Sequence, residues 1–252
     1  MPRTMIDAIR EPGALRIEFQ PIVTVRENAV ELYAAEALTR GPRGTSMERP
    51  DVLFEYARRK GQETQVDLVC IAAALASSAS LPEGSHLTIN VHASTLSGVP
   101  HFIDKLLTAA KAYEIASERL ILEIVEHRAP WCMKSLHATL AELRAEGVRI
   151  ALDDLGVGAS NYRMVIDCHP DLLKIDRYIV DGCSDDPWRV SVLRSIVTLA
   201  EACGAKPIAE GVERSDDLDV LLQLGIDTVQ GWLFGASMPA QDIARHMKGF
   251  RK

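Results

Sequence analysis

Short apolar runs rich in β-branched residues recur along the chain, and most are separated by stretches in which apolar positions return every three or four residues. Eight runs read as strands: 19–23, 30–38, 86–91, 119–126, 149–154, 172–176, 206–212 and 227–234. The first two are joined by the polar segment TVREN, too short for a helical crossover, so they are expected to form an antiparallel hairpin. Thereafter strands alternate with helical patterns. Between Trp188 and Gly204, the residues Leu193, Ile196, Val197 and Ala200 share one helical face, and Gly204 is placed to end the helix. Leu136, Leu140 and Leu143 repeat the pattern before Gly147, and Ser215 is the expected N-cap of a helix carrying Leu218, Leu221 and Leu222.

Crossover helices of this kind imply parallel strands covered on their outer side, and eight strands so wired close into a TIM-like (β/α)8 barrel with one antiparallel strand near the N-terminus. An open doubly wound sheet is the competing α/β architecture, but no GxGxxG turn follows an early strand. The length of 252 residues suits one such barrel, read as residues 15–252 behind an N-terminal extension of 1–14. A net charge of −7 without a Lys/Arg run argues against DNA and for a small, locally bound phosphate ligand. Five cysteines without a CxxC pair argue against a disulfide framework or a zinc ribbon. The N-terminus lacks the apolar stretch of a signal peptide, and the alanine-rich run near Cys70 is too short and serine-rich to span a bilayer; a cytoplasmic protein without a membrane anchor is expected.

Chemistry enters through the strand ends. Nearly every expected strand terminates in an acidic, amide or lysine side chain: Glu36, Asn90, Glu123, Asp153 with Asp154, Lys174, Glu210 and Gln230. In one barrel these ends converge on a single face, where TIM-type enzymes place their active sites. So many carboxylates would repel one another unless cations neutralised them. Oxygen donors with one amide and no histidine or thiolate favour magnesium or manganese over zinc, and two such ions suit phosphoester hydrolysis. Lys174 lies in the otherwise apolar run LLKID, where a buried ammonium needs carboxylate company.

At these residues the chain resembles the EAL-domain family of cyclic di-GMP phosphodiesterases. The resemblance runs from FQPIV at Phe19 to the GASMP segment near Pro239, through Glu36-Ala37-Leu38 with Arg40, NVHASTL from Asn90, LEIVE containing Glu123 and Glu126, DDLGVGAS from Asp153, LLKID, AEGVE containing Glu210 and Glu213, and QGWLF from Gln230. Seven motifs in order carry far more weight than a lone Glu-Ala-Leu triplet. The resemblance implies hydrolysis of cyclic di-GMP to linear pGpG with magnesium or manganese at a two-metal site, calcium binding without supporting turnover. It implies that Glu36, Asn90, Glu123 and Asp153 ligate one ion, and that Asp153, Asp154 and Glu210 serve the second or its bridging water. By the same resemblance Lys174 holds the attacking water and the phosphate, Gln230 positions that region, and Gln20, Leu38 and Arg40 lie against the dinucleotide. Asp176 and Glu213 would orient the ligating groups, and Glu126 would brace the loop after Asp154.

The chain departs from the family's DDFGTGYSS-type loop at Leu155, Val157 and Ala159, and Gly41 replaces an aromatic that often follows Arg40. The alternative function is therefore a weak or inactive EAL domain serving as a cyclic di-GMP receptor or as a protein interaction module. No GGDEF, PAS or receiver segment fits the remaining residues, so any sensory domain or partner lies outside this chain, and a homodimer through the helix after Lys174 is a family-based expectation. The seven histidines lack HxxxH or HExxH spacing and read as surface or satisfied core groups, and Trp131 and Trp188 read as packing residues. Gly156 and Gly158 are assigned to flexibility of the loop after Asp154.

Overall fold

A computed structural model describes residues 5–250 apart from 10, 12, 28, 126–132 and 158–160. Eight strands close into a barrel in sequence order: β1 Arg16–Arg26, β2 Ala29–Arg40, β3 His86–His92, β4 Leu120–Val125, β5 Arg149–Leu155, β6 Leu172–Ile175, β7 Lys206–Ala209 and β8 Thr228–Gln230. Strand β1 runs antiparallel to both β2 and β8, and every other pair is parallel. This is the expected barrel with its one inverted strand. The helices are α1 Met5–Ile9, α2 Pro50–Arg59, α3 Glu63–Ser77, α4 Ala93–Gly98, α5 Phe102–Ala112, α6 Met133–Ala145, α7 Asn161–Cys168, α8 Arg177–Val180, α9 Pro187–Cys203, α10 Ser215–Gln223 and α11 Ala240–Met247.

The main core lies between the barrel wall and the helices, where Leu122, Ile150, Leu152 and Leu173 pack in one cluster with Leu136, Leu140, Leu143, Leu193 and Ile196. Burying each such side chain stabilises the fold by about 1.5–3 kcal/mol. A second cluster, Ile22, Ala34, Ile121, Ala151, Leu172 and Ile208, fills the barrel interior. Because strand side chains alternate faces, the residue two positions nearer the mouth on each strand points inward as well. Those residues are Gln20, Glu36, Glu123, Asp153, Lys174 and Glu210. An apolar plug thus carries a polar layer directly above it.

Several local expectations are corrected. The strands expected at 206–212 and 227–234 shorten to β7 and β8, since Gly211 turns the chain with φ of 67° just beyond β7. Ser215 is the first helical residue of α10 instead of its cap; Arg214 holds the cap position without a side-chain cap bond and pairs with Asp185 at 2.6 Å. Gly204 does end α9 as expected, in the left-handed conformation with φ of 68°. Trp188 is 82% exposed at the start of α9 and so is not the packing residue expected. Among the described histidines, His86 has its Nδ1 buried without a hydrogen-bond partner, while its ring packs against Tyr33. No helix among the described residues is long and apolar enough to cross a membrane.

Candidate active site

Lys174 follows two leucines on a four-residue strand buried throughout, so its side chain must enter the barrel, where it is 1% exposed. A buried ammonium without partners would be very costly. Four carboxylates answer it: Nζ donates to Glu123 Oε1, lies 2.6 Å from Glu210 Oε1, 3.4 Å from Asp153 Oδ1 and 3.5 Å from Glu36 Oε2. Glu123, Asp153 and Glu36 arrive from β4, β5 and β2, and Glu210 follows directly on β7.

Glu36 is clamped by two amides. Asn90 Nδ2 donates to its Oε1 at 3.0 Å and Gln230 Nε2 to its Oε2 at 2.7 Å, which leaves the Asn90 carbonyl oxygen as the atom available to a cation. Gln230 Nε2 also donates to Gln20 Oε1 at 3.2 Å, and Gln20 Nε2 donates to the Gly235 carbonyl at 3.2 Å. Oxygens of Glu36, Glu123 and Glu210 come within 4.8 Å of one another, and so do those of Asp153, Asp154 and Glu210. Two candidate metal positions therefore share Glu210.

The electrostatics divide the cluster. Burial works against the charge on Glu36, but Lys174 and the two amides outweigh it and hold the carboxyl below its usual range. Burial likewise works against Lys174, and Glu210 and Glu36 outweigh it, so the ammonium stays charged. Asp153 is pushed well above the usual range by burial and then by Glu210, Asp154 and Glu36. Asp154 is raised by burial and by Asp176. For Glu210, burial together with Glu36 and Asp154 prevails over Lys174, and its carboxyl is raised too. One ammonium does not neutralise five carboxylates.

Asp154 adopts φ of 54°, an uncommon conformation for a non-glycine residue. Gly156, two residues on, has φ of 104°, a backbone conformation that favours glycine at this position. Leu155, which departs from the family loop, is buried in the main cluster. Glu126 and Gly158 lie outside the described residues. Asp176 accepts from the Tyr178 amide at 2.7 Å and caps α8 while also meeting Asp154. Glu213 pairs with Arg177 at 3.0 Å, whose guanidinium lies 5.8 Å from the centre of the exposed Trp232 ring.

Leu38, Arg40 and Asn90 line a cavity of about 250 Å³ with Phe54, Ile89 and Val125. Sequence reasoning missed the residues that steady this rim. Asp67 of α3 accepts from the His92 amide at 2.9 Å and contacts His92 Nδ1 at 2.8 Å, pinning the chain just after Asn90. Burial opposes the charged His92 ring, but Asp67 outweighs it and holds the pKa above the usual range. Glu18 and Ser237 were missed also; both hold Arg40. Only the oddity of Asp67 and Glu18 within largely apolar segments could have flagged two of them.

Residues 4–237 match the family model described as EAL domain. Among curated proteins, the probable cyclic di-GMP phosphodiesterase PdeG of Escherichia coli K12 is 32% identical over 90% of this chain and 45% of its own length. The chain thus spans less than half of that relative. Among solved structures, the calcium and cyclic di-GMP complex of Klebsiella pneumoniae BlrP1 superposes with a TM-score of 0.78 at 27% identity, over 89% of this chain and 56% of that one. A standalone EAL protein from Vibrio cholerae O395, in its cyclic di-GMP-bound form, gives a TM-score of 0.76 at 26% identity, over 89% of this chain and 92% of that one.

Proposed function

The chain belongs to the EAL domain family, and from that premise we propose that it hydrolyses cyclic di-GMP to linear pGpG with magnesium or manganese held by Glu36, Asn90, Glu123, Asp153, Asp154 and Glu210. The observation that carries this reading is the Lys174 ammonium set among Glu36, Glu123, Asp153 and Glu210 at the barrel mouth. The donor set fits divalent cations: Glu123 Oε2 and Asp153 Oδ1 are buried without a hydrogen-bond partner, and the surplus negative charge needs more than one ammonium. When bound, such ions neutralise the charge that develops on a phosphoryl group and make water a better nucleophile. The likeness to proteins solved with cyclic di-GMP, one of them in calcium and manganese complexes, supports both ligand and cofactor.

In this reading the water oxygen bonds to phosphorus as the bond to the 3′-oxygen breaks; the water's proton passes to the carboxylate cluster, which returns a proton to the 3′-oxygen as it leaves. Lys174 Nζ holds the water and a phosphoryl oxygen in line, an orienting task that positions reactants for displacement. Asn90 and Gln230 keep Glu36 in one orientation, and Gln20 continues that chain toward the substrate. Asp176 holds Asp154, Glu213 holds Arg177 beside Trp232, and Leu38 with Arg40 borders the space a nucleotide would fill.

Incubating the purified chain with cyclic di-GMP and magnesium or manganese should yield linear pGpG on anion-exchange chromatography. Binding in calcium with no product in magnesium or manganese would replace this reading with a non-hydrolysing receptor. No binding by folded protein would sink it.

A further inference from the structure

Asn90 stands where its strand is paired on one side only. The β2–β3 ladder ends at the pair Ala37 and Ile89, one residue short of Asn90, whereas the β3–β4 ladder pairs Asn90 with Glu123 and continues to His92 and Val125. The Asn90 side chain is oriented by the bond from Nδ2 to Glu36 Oε1 at 3.0 Å, which leaves its carbonyl oxygen as the donor for a cation. A ligand at the half-paired end of a strand needs a second support, because a productive site tolerates displacements of only about half an ångström.

Helix α3 supplies that support. Asp67 lies on its buried face with Val66, Cys70, Ile71 and Ala74, and is 2% exposed. A carboxylate among apolar neighbours is tolerated only when its oxygens are bonded. Asp67 Oδ2 accepts from the His92 amide at 2.9 Å and from Thr95 Oγ1 at 2.5 Å. Its Oδ1 accepts from His92 Nδ1 at 2.8 Å, a bond that the charged ring and the neutral Nδ1–H tautomer both make. All three donors belong to the corner where β3 passes into α4. His92 is the N-cap of α4 and makes no capping bond with its own side chain, so the corner is fastened from outside, by a residue 25 positions earlier in the chain.

We infer that Asp67, acting through His92 and Thr95, is a positioning residue that fixes the Asn90 carbonyl oxygen for a divalent cation. The inference rests on the metal-dependent reading of the site and adds a carboxylate from outside the ligand set. Three bonds converging on one buried group remove the freedom of the strand end on its unpaired flank, so that binding a cation carries less ordering cost. Groups that orient a ligand from behind typically change metal affinity by about 10–100-fold. A carboxylate that only tied α3 to the barrel would lower stability and leave metal affinity untouched.

The melting temperature of the full chain, followed as manganese is added without nucleotide and read against each variant's own metal-free baseline, separates the two roles. Asp67→Asn keeps the shape and gives up the charge and an acceptor; it should need about tenfold more manganese than wild type for the same rise. Thr95→Val removes one of the three bonds and should shift the titration in the same direction by less. In an Asn90→Ala background both shifts should vanish, because the group being positioned is gone. A wild-type titration in both variants, or shifts of unchanged size without Asn90, would overturn the assignment while leaving the metal site standing. Should Asp67→Asn be too unstable to read, Thr95→Val decides alone. No rise in the folded wild type would overturn the metal-dependent reading itself.

Discussion

At the scale of single residues, the site is a contest between one buried ammonium and five carboxylates, and substitutions should expose each side of it. Glu36→Ala removes a carboxylate that two amides hold in place, and phosphodiesterase activity should fall by orders of magnitude while circular dichroism stays that of the wild type. Lys174→Met leaves Glu123 and its neighbours buried without their cation, so metal-free protein should lose about 3–5 kcal/mol in urea denaturation, part of it recovered in magnesium. At the opposite end of the barrel His86 is held near pKa 4, first by burial and then by Arg149, against an ordinary 6.5. The unfolded chain then binds a proton that the folded ring refuses, so this residue's contribution to stability declines as pH falls from 6.5 toward 4. His86→Phe should flatten that slope in denaturation curves measured across the window; an unchanged slope would assign the dependence elsewhere.

Whole elements obey the same logic of exposed and covered faces. Helix α9 starts at Asp186, whose carboxylate accepts from the Trp188 amide at 2.9 Å, and ends at Gly204 in the left-handed conformation. Asp186→Ala should cost about 1 kcal/mol of stability, and Gly204→Ala should destabilise too, since a Cβ opposes positive φ. Both are measured by thermal unfolding. Leu140 on α6 is buried in the core between helix and barrel, and Leu140→Ala should cost about 2–5 kcal/mol. The helical faces were legible in the sequence because burial of one stripe demands periodicity. Ser215 was misread as a cap because a polar residue before an apolar repeat can equally be the first helical position, and only backbone geometry distinguishes the two. The last two strands were read too long because apolar residues persist past the turn at Gly211 and past Gln230.

For the molecule as a whole, a cation that binds the folded acidic cluster and not the unfolded chain adds its binding energy to stability. Millimolar magnesium or manganese should raise the melting temperature of the wild type in differential scanning fluorimetry, and the rise should shrink in Glu36→Ala and in Asp153→Asn. Absence of any shift would argue that the cluster holds no divalent ion. The plug beneath the mouth, Ile22, Ala34, Ile121, Ala151, Leu172 and Ile208, fills the interior and leaves the polar layer facing the mouth.

Sequence alone determined the barrel and the convergence of its strand-end acids, since a repeated strand–helix alternation has few closed solutions and puts every C-terminal strand end on one face. It also marked Lys174, because an ammonium within an apolar strand demands carboxylate partners. Tertiary structure decided which oxygens those partners present, that Glu210 is common to both acidic sets, and that Asp67 steadies the chain beside Asn90. It alone joined Glu18, Arg40 and Ser237. Those contacts depend on strand stagger and on where a loop after β8 crosses the mouth, distances set by the packing of the closed barrel and carried by no local pattern of residues.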